Sequence, residues 1–417
     1  MRFLLINQPM FNRGDESAHK ALVYALLQHF PDCTVEVLFA DRPQEAVDEC
    51  RVNDTRVTYT NLAIDRRYYK TYIWNLKHWL RILWYFNPTV RKIVRHYRQA
   101  DWIISSPGDR SLGSRYDWDH LFFVSLAEYA GCKVAYYGRS IGPFPEDSPL
   151  HVRFNFLARR ALRKSRFVSL RDRESAAIAA ELGIRYLPTL DTAFLYTPLV
   201  QMPSDIRERT GDKYIVLVPT FLKWSRKDSG SSCPVRMQVR LFYSEVCRRI
   251  LEMFPDHKVV MLPQLFSTGD VSTGDYAFFK EIASDVADNR VEVLPDTLIS
   301  EFHQTVIAGS KCVLGARYHS IVFAINNNVP FVALNYEDRI LGMLESLGKQ
   351  DRCVDITMAL DDRSLAFESQ VALARIMEKM KSLQPDEGAR IMAKAKTSEC
   401  FEKFAVTVKD SKRPRRK

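Results

Sequence analysis

The sequence predicts an α/β protein made of two doubly wound, Rossmann-like domains facing a cleft. Three observations predict it. Short Val/Ile/Leu/aromatic runs alternate with longer amphipathic stretches along most of the 417 residues. The runs are continuously apolar, as strands are when helices cover both faces of a parallel sheet. The alternation also occurs as two series, parted by the polar stretch Thr197–Asp212 with Pro198, Pro203 and Gly211.

Strands of the first series are predicted at Phe3–Asn7, Thr34–Phe39, Trp102–Ser105, Lys133–Tyr137 and Phe167–Leu170. The second series is Tyr214–Val218, Lys258–Leu262, Val291–Leu294, Lys311–Gly315 and Val329–Leu334. Between them, apolar residues recur at helical spacing in Glu16–Phe30, Asp119–Ala130, Glu174–Leu182, Leu241–Phe254 and Tyr276–Ala287. The expected organisation is an N-terminal domain over 1–200 and a C-terminal domain over 213–360. Helices follow over 361–404, then a basic tail over 405–417. In open α/β sheets ligands bind beyond the carboxyl ends of the strands, so the loops there are where chemistry is expected.

Composition excludes several classes. At 46% hydrophobic and 26% charged residues the chain can build full cores, so disorder is not its main state. No run reaches the roughly 18 apolar residues of a membrane span. The opening MRFLLINQPMFNRGDE has too short an apolar core for a signal peptide and reads as a first strand. Eight cysteines lie scattered without a CxxC pair, against a zinc ribbon or a disulfide scaffold and in keeping with a reducing cytoplasm. The net charge of +10 is local: residues 61–100 hold nine Lys/Arg against Asp65, and Lys409–Lys417 hold six against Asp410. With both set aside the body is slightly acidic, so nucleic acid is not an expected partner. Nine aromatics between Tyr68 and Tyr97 interleave with the first basic block. They read either as a peripheral membrane contact over residues 66–98, at the inner face of the membrane, or as helices packed on the domain.

The common nucleotide-cradle and zinc-protease signatures, GxGxxG, GxxxxGK[ST] and HExxH, are missing. Asp117–Trp118–Asp119 is a DxD string that either holds a metal-bound diphosphate or charges a helix N-terminus. Four strand-end segments stand out. Asn12–Arg13–Gly14–Asp15–Glu16 opens a helix whose N–H groups attract an anion or are capped by Asp15. Gly138–Arg139–Ser140–Ile141–Gly142 is a loop that allows close backbone approach to a ligand, or a plain turn. Arg171 ends a strand just before a helix, either to fork onto a carboxylate or phosphate or to pair with Asp172. Ala316–Arg317–Tyr318–His319–Ser320 brings a cation, an imidazole and a hydroxyl to one strand end, where His319 is the candidate acid/base. Arg339, after the next strand, supplies a further cation. The three arginines suit a small di- or trianion without a metal cage.

These segments together resemble the polysaccharide pyruvyl transferase family. The motifs are NRGDE, GRSIGPF, SLRDRES, DTAF at Asp191–Phe194, ARYHS, PFVALNYEDR and LGMLESLG, in order across roughly the first 350 residues. The resemblance implies a glycosyltransferase B-like architecture and transfer of the pyruvyl group of phosphoenolpyruvate to sugar hydroxyls as a ketal during exopolysaccharide biosynthesis. Phosphoenolpyruvate is then a donor substrate and no cofactor is expected. By motif, the resemblance makes His319 catalytic and Arg171, Arg317 and Arg339 donor-binding; Asp15, Ser140 and Ser320, from the strand-end segments themselves, complete the expected substrate site. The chain departs from the family pattern twice, with Arg339 where lysine is expected and Arg139 where glycine is. The acceptor is a sugar or a lipid-linked glycan. Competing readings are a nucleotide-sugar-dependent glycosyltransferase of the same architecture and a non-catalytic polysaccharide-assembly protein.

Overall fold

A computed structural model describes residues 1–64, 87–221, 232–266, 274–336, 338–357 and 365–411. The chain divides into two compact units. The first comprises Met1–Met10, Ala18–Tyr196 and Ala395–Lys417, the second Phe11–Ser17 and Thr197–Lys394. These differ from the predicted domains at both ends of the chain.

The first unit is a parallel eight-stranded sheet. Its strands are β1 (Arg2–Ile6), β2 (Thr34–Ala40), β3 (Val57–Leu62), β4 (Trp102–Ser105), β5 (Gly108–Leu112), β6 (Val134–Ile141), β7 (Phe167–Leu170) and β8 (Leu187–Pro188). Their order is β3-β2-β1-β4-β6-β7-β8, with β5 paired to β6. The period-two alternation of β1 divides its side chains between two cores. Leu4 and Ile6 join Tyr97, Leu121 and Phe122 on one face, while Phe3 and Leu5 join Leu26, Phe30 and Trp102 on the other. The second core also takes Phe401, Phe404, Ala405 and Val408 from the helix Glu387–Asp410. That apolar stripe is why the end of the chain belongs to the first unit rather than forming the separate helical segment expected from sequence.

The second unit is a parallel six-stranded sheet of β9 (Tyr214–Val218), β10 (Lys258–Met261), β11 (Val291–Val293), β12 (Val313–Gly315), β13 (Phe331–Asn335) and β14 (Cys353–Asp355). Its order is β11-β10-β9-β12-β13-β14. Each sheet therefore reverses direction once, between β1 and β4 in the first unit and between β9 and β12 in the second. Such a switch point is where doubly wound sheets open a crevice at their strand ends.

Strand β6 corrects one sequence expectation. Gly138–Arg139–Ser140 is not a loop after the strand but its continuation. Gly138 adopts φ +59°, and the pairing of β6 with β7 slips in register between Tyr136 and Arg139. A bulge at a residue without a side chain lets the strand run on. A Cβ there would sit 2.4 Å from the Thr192 hydroxyl.

Most of the aromatic-basic stretch, Tyr68 to Phe86, lies outside the described residues, as does the tail beyond Ser411. The described end of that stretch is the helix Pro88–Gln99, capped by Asn87. In this helix Tyr97 packs on the domain: it is buried and its hydroxyl donates to the Phe123 carbonyl. Among the described residues no helix is long and apolar enough to cross a membrane.

Candidate active site

In the second unit, β12 ends at Gly315 and the helix Tyr318–Asn326 begins three residues later, with Arg317 at its N-cap position. Arg317 and His319 are both less than a tenth exposed. Ser320 is wholly buried, and its hydroxyl donates to the Arg317 carbonyl at 2.5 Å. The Ser320 side chain thus holds the turn. Gly315 makes room for it, since a Cβ there would meet the Ser320 hydroxyl at 2.1 Å.

Arg317 does not stand as a bare cation. Its guanidinium pairs through Nη2 with Asp275, which is itself buried. The other oxygen of Asp275 accepts from the backbone N–H groups of Gln264 and Leu265 at 3.0 and 2.9 Å. One carboxylate therefore fixes the arginine and the loop after β10 together. Sequence reading missed Asp275, which merely precedes an apolar helical pattern.

Residues Phe11–Ser17 belong to this unit through a dense set of contacts. The Arg13 amide donates to the Gln264 carbonyl at 3.0 Å. Its guanidinium pairs with Glu16 at 2.9 Å, donates to the Asp296 carbonyl at 2.6 Å and lies 3.8 Å from the centroid of Phe266. Glu16 accepts from the Ser300 amide at 3.0 Å, and Ser17 accepts from Gln304 at 3.1 Å. The helix Arg13–His29 is capped by Asn12, whose side-chain oxygen accepts from Gly14 N–H at 2.9 Å. Asn12, not Asp15, fills the capping role; Asp15 lies one residue beyond Gly14 and is largely buried.

Gly14 is the least replaceable residue of the site. A Cβ built on it would lie 1.8 Å from Cγ of His319 and 1.9 Å from Nδ1. The imidazole thus rests on the bare backbone of the first helical turn. The motifs NRGDE and ARYHS, from opposite ends of the sequence, meet at this contact.

In the first unit, Arg171 leaves the end of β7 and is 5% exposed. It pairs with Asp191 at 2.7 Å, and Asp191 is fully buried and also accepts from the Ala193 amide. The pair to Asp172 suggested by adjacency does not form. Asp172 instead caps the helix Arg173–Glu181 and accepts from the hydroxyls of Ser140 and Ser175. The DTAF motif therefore supplies the counter-charge for the SLRDRES motif. Arg139, the second departure from the family pattern, is buried and donates to the carbonyls of Asn7 and Ser106 and to the Ser111 hydroxyl. It ties together the ends of β1 and β4, the switch point of its sheet.

Of the three arginines expected to suit a small anion, Arg171 and Arg317 thus each carry a buried carboxylate. A buried guanidinium without one would cost several kcal/mol. Arg339 sits half-buried in the first turn of the helix Asp338–Ser346. Of the predicted site residues, Asp15, Arg317, His319, Ser320 and Arg339 belong to the second unit, and Arg171 and Ser140 to the first. Asp117 caps the helix Trp118–Tyr129, its side chain accepting from the His120 amide. Among the described residues no group of three His, Cys, Asp or Glu side chains could hold a metal ion.

Comparison with known proteins gives a consistent picture. The amylovoran biosynthesis protein AmsJ of Erwinia amylovora is 24% identical over 247 residues, 55% of either chain. This chain thus matches about half the length of that curated relative. Among solved structures, a UDP-N-acetylglucosamine 2-epimerase superposes with a TM-score of 0.57 at 12% identity, covering 99% of this chain and 97% of that one. A UGT transferase from Siraitia grosvenorii in complex with UDP gives 0.52 at 12% identity, covering 98% and 99%. These likenesses show a glycosyltransferase B-like fold. The family profile described as polysaccharide pyruvyl transferase matches residues 12–338, from the Asn12 cap to the residue before Arg339. On that match, spanning most of its length, the chain belongs to the polysaccharide pyruvyl transferase family.

Proposed function

We propose that the protein moves the pyruvyl group of phosphoenolpyruvate onto two hydroxyls of a sugar, forming a cyclic ketal and releasing phosphate. The observation that carries this reading is His319 two residues beyond Arg317, at the carboxyl end of β12 beside the switch point of its sheet. Ketal formation needs a proton on the methylene carbon, which becomes the methyl group of the product. His319 is the general acid for that step. The oxocarbenium-like centre left behind takes the first sugar hydroxyl, whose proton passes to the imidazole. The bond from the central carbon to the phosphate oxygen then breaks, with its electron pair leaving on phosphate. The second hydroxyl closes the ring and passes its proton to the released phosphate.

Arg171, Arg317 and Arg339 are the donor-binding cations in this reading. The carboxylates behind Arg171 and Arg317 set the plane of each guanidinium, so those two contribute oriented N–H donors more than net charge. Such fixed donors stabilise charge developing on the leaving phosphate without reorganising during reaction. The acceptor is of the sugar or lipid-linked class, met at the cytoplasmic side of a membrane. The helix Pro88–Gln99, which exposes Arg91, Lys92, Arg95 and Arg98, supports that placement.

A thermal-shift screen of phosphoenolpyruvate against nucleotide sugars tests the donor. Binding to the native state raises the melting temperature. A rise with phosphoenolpyruvate supports the proposal, and a rise with nucleotide sugars alone overturns it. Co-sedimentation with anionic vesicles at low salt tests the membrane contact; absence of binding removes it.

A further inference from the structure

Extended past the ends of β10, β9 and β12, the register of the second sheet aligns one residue from each with Asn335, the last residue of β13. Met261 is opposite Leu217, Val218 opposite Gly315, and Gly315 opposite Ala333. Counting forward, Gln264, Thr220, Arg317 and Asn335 form one row across β10, β9, β12 and β13. The row straddles the switch point, and at about 4.8 Å per strand it is roughly 14 Å long, enough for a sugar ring and its substituents.

All four residues are more than nine-tenths buried. Each carries a buried polar atom with no hydrogen-bond partner among the described residues: Nε2 of Gln264, Oγ1 of Thr220, Nε of Arg317 and Oδ1 of Asn335. Buried polar atoms are nearly always satisfied, and each that is not calls for an explanation such as a ligand. Besides Arg317, which the donor claims, three of them lie on one level with it and point to a second ligand.

The chemistry of the row selects that ligand. Arg317 is already balanced by Asp275, so the row is neutral. It combines donors, an acceptor and a hydroxyl that is both. Ionised phosphoenolpyruvate offers acceptors only, whereas sugar hydroxyls donate and accept. We infer that Thr220, Gln264 and Asn335 form a hydroxyl-binding shelf that seats the acceptor sugar beside His319. This rests on reading the protein as a pyruvyl transferase, and it adds the residues that choose the acceptor.

Thr220→Val is the decisive variant, because it keeps the shape of the side chain and removes only the unpaired hydroxyl. Asn335→Leu is its companion. The probes are methyl β-D-galactopyranoside, methyl β-D-glucopyranoside and methyl α-D-mannopyranoside at up to 100 mM, with phosphoenolpyruvate titrated separately. Both variants are expected to weaken binding of the glycoside that wild type prefers by about 10-fold. Phosphoenolpyruvate affinity should stay unchanged, and Thr220→Val should keep or raise the melting temperature. Unchanged glycoside affinity in both variants, or a wild type that binds none of the three glycosides, overturns the shelf. A melting temperature lowered in Thr220→Val with glycoside binding intact also overturns it, since the hydroxyl would then be serving the fold. A wild type that binds a glycoside but neither binds phosphoenolpyruvate nor releases phosphate leaves the shelf standing and removes the pyruvyl reading instead.

Discussion

Gly14→Ala perturbs the site without replacing any group that reacts. The added methyl would lie 1.8 Å from Cγ of His319, 1.9 Å from Nδ1 and 2.5 Å from Cβ. Carbon atoms in contact prefer about 3.5–4.0 Å, so the ring must retreat by roughly 2 Å. Neither side yields easily. Gly14 is held by the Asn12 cap and by Arg13, whose amide bonds to Gln264 and whose side chain pairs with Glu16. His319 lies in the first turn of a helix buried from His319 to Asn326. A displacement of about 1 Å in a catalytic group can cost 10²-fold in rate, so turnover should fall by at least about 10²-fold. Stability is opposed by overpacking of about 1–3 kcal/mol and helped by the higher helix propensity of alanine, about 1 kcal/mol. The net loss should therefore be small. The assay is phosphate release at saturating phosphoenolpyruvate and acceptor, with the melting temperature taken on the same preparation. A folded variant with turnover within about threefold of wild type would refute the placement of His319 in the chemistry.

Other expectations follow from the same contacts. His319→Ala should lower turnover by about 10²–10⁴-fold with a smaller change in donor affinity; normal turnover in a stable variant removes it from the mechanism. Asp275→Ala strands a buried guanidinium and should cost about 3–5 kcal/mol in urea unfolding, while the double variant with Arg317→Ala recovers part of the loss. Phe404→Ala removes a ring that meets Trp102, Tyr137 and Phe167 at 5.7, 5.4 and 5.1 Å, and should cost about 3–5 kcal/mol by the same measurement. Acid should destabilise the fold through His19, whose burial lowers its pKa to about 3. The unfolded imidazole binds a proton near pH 6.5 and the folded one near 3, so stability is complete above about 6.5 and falls as pH drops. Between pH 6.5 and 5 the loss is about 2 kcal/mol, and His19→Gln should flatten that slope. Burial likewise pushes His120 and His303 well below the ordinary histidine value, so they act in the same direction.

Central strands were legible because both faces of β4, β7 and β9 are covered, and their short runs are then apolar but for one serine each in β4 and β7. Strands of other composition were not. The β5 run, GDRSL, shows no alternation, and β8 is two residues long. The half-exposed β3 reads as polar. At the site, residue types and strand-end positions could be read, since these are local. The pairings could not. Arg171 finds Asp191 rather than its neighbour, Arg317 finds Asp275, and Gly14 meets His319 only through tertiary packing. A charge seen in sequence gives no sign of the carboxylate that balances it, so an apparently cationic rim became two neutral buried pairs.

The placement of Phe401, Phe404, Ala405 and Val408 in the first unit has a consequence during synthesis. The strands of the first sheet leave the ribosome early, yet the helix that covers part of one face follows only after the second unit. The second unit, whose residues end at Lys394, has its full sequence before the first does. Until that helix emerges, Trp102, Tyr137 and Phe167 lack the rings of Phe401 and Phe404, and a nascent sheet in that state is open to chaperones and to self-association. A stop codon or frameshift near residue 395 would therefore damage the first unit most, leaving strands made early without a cover.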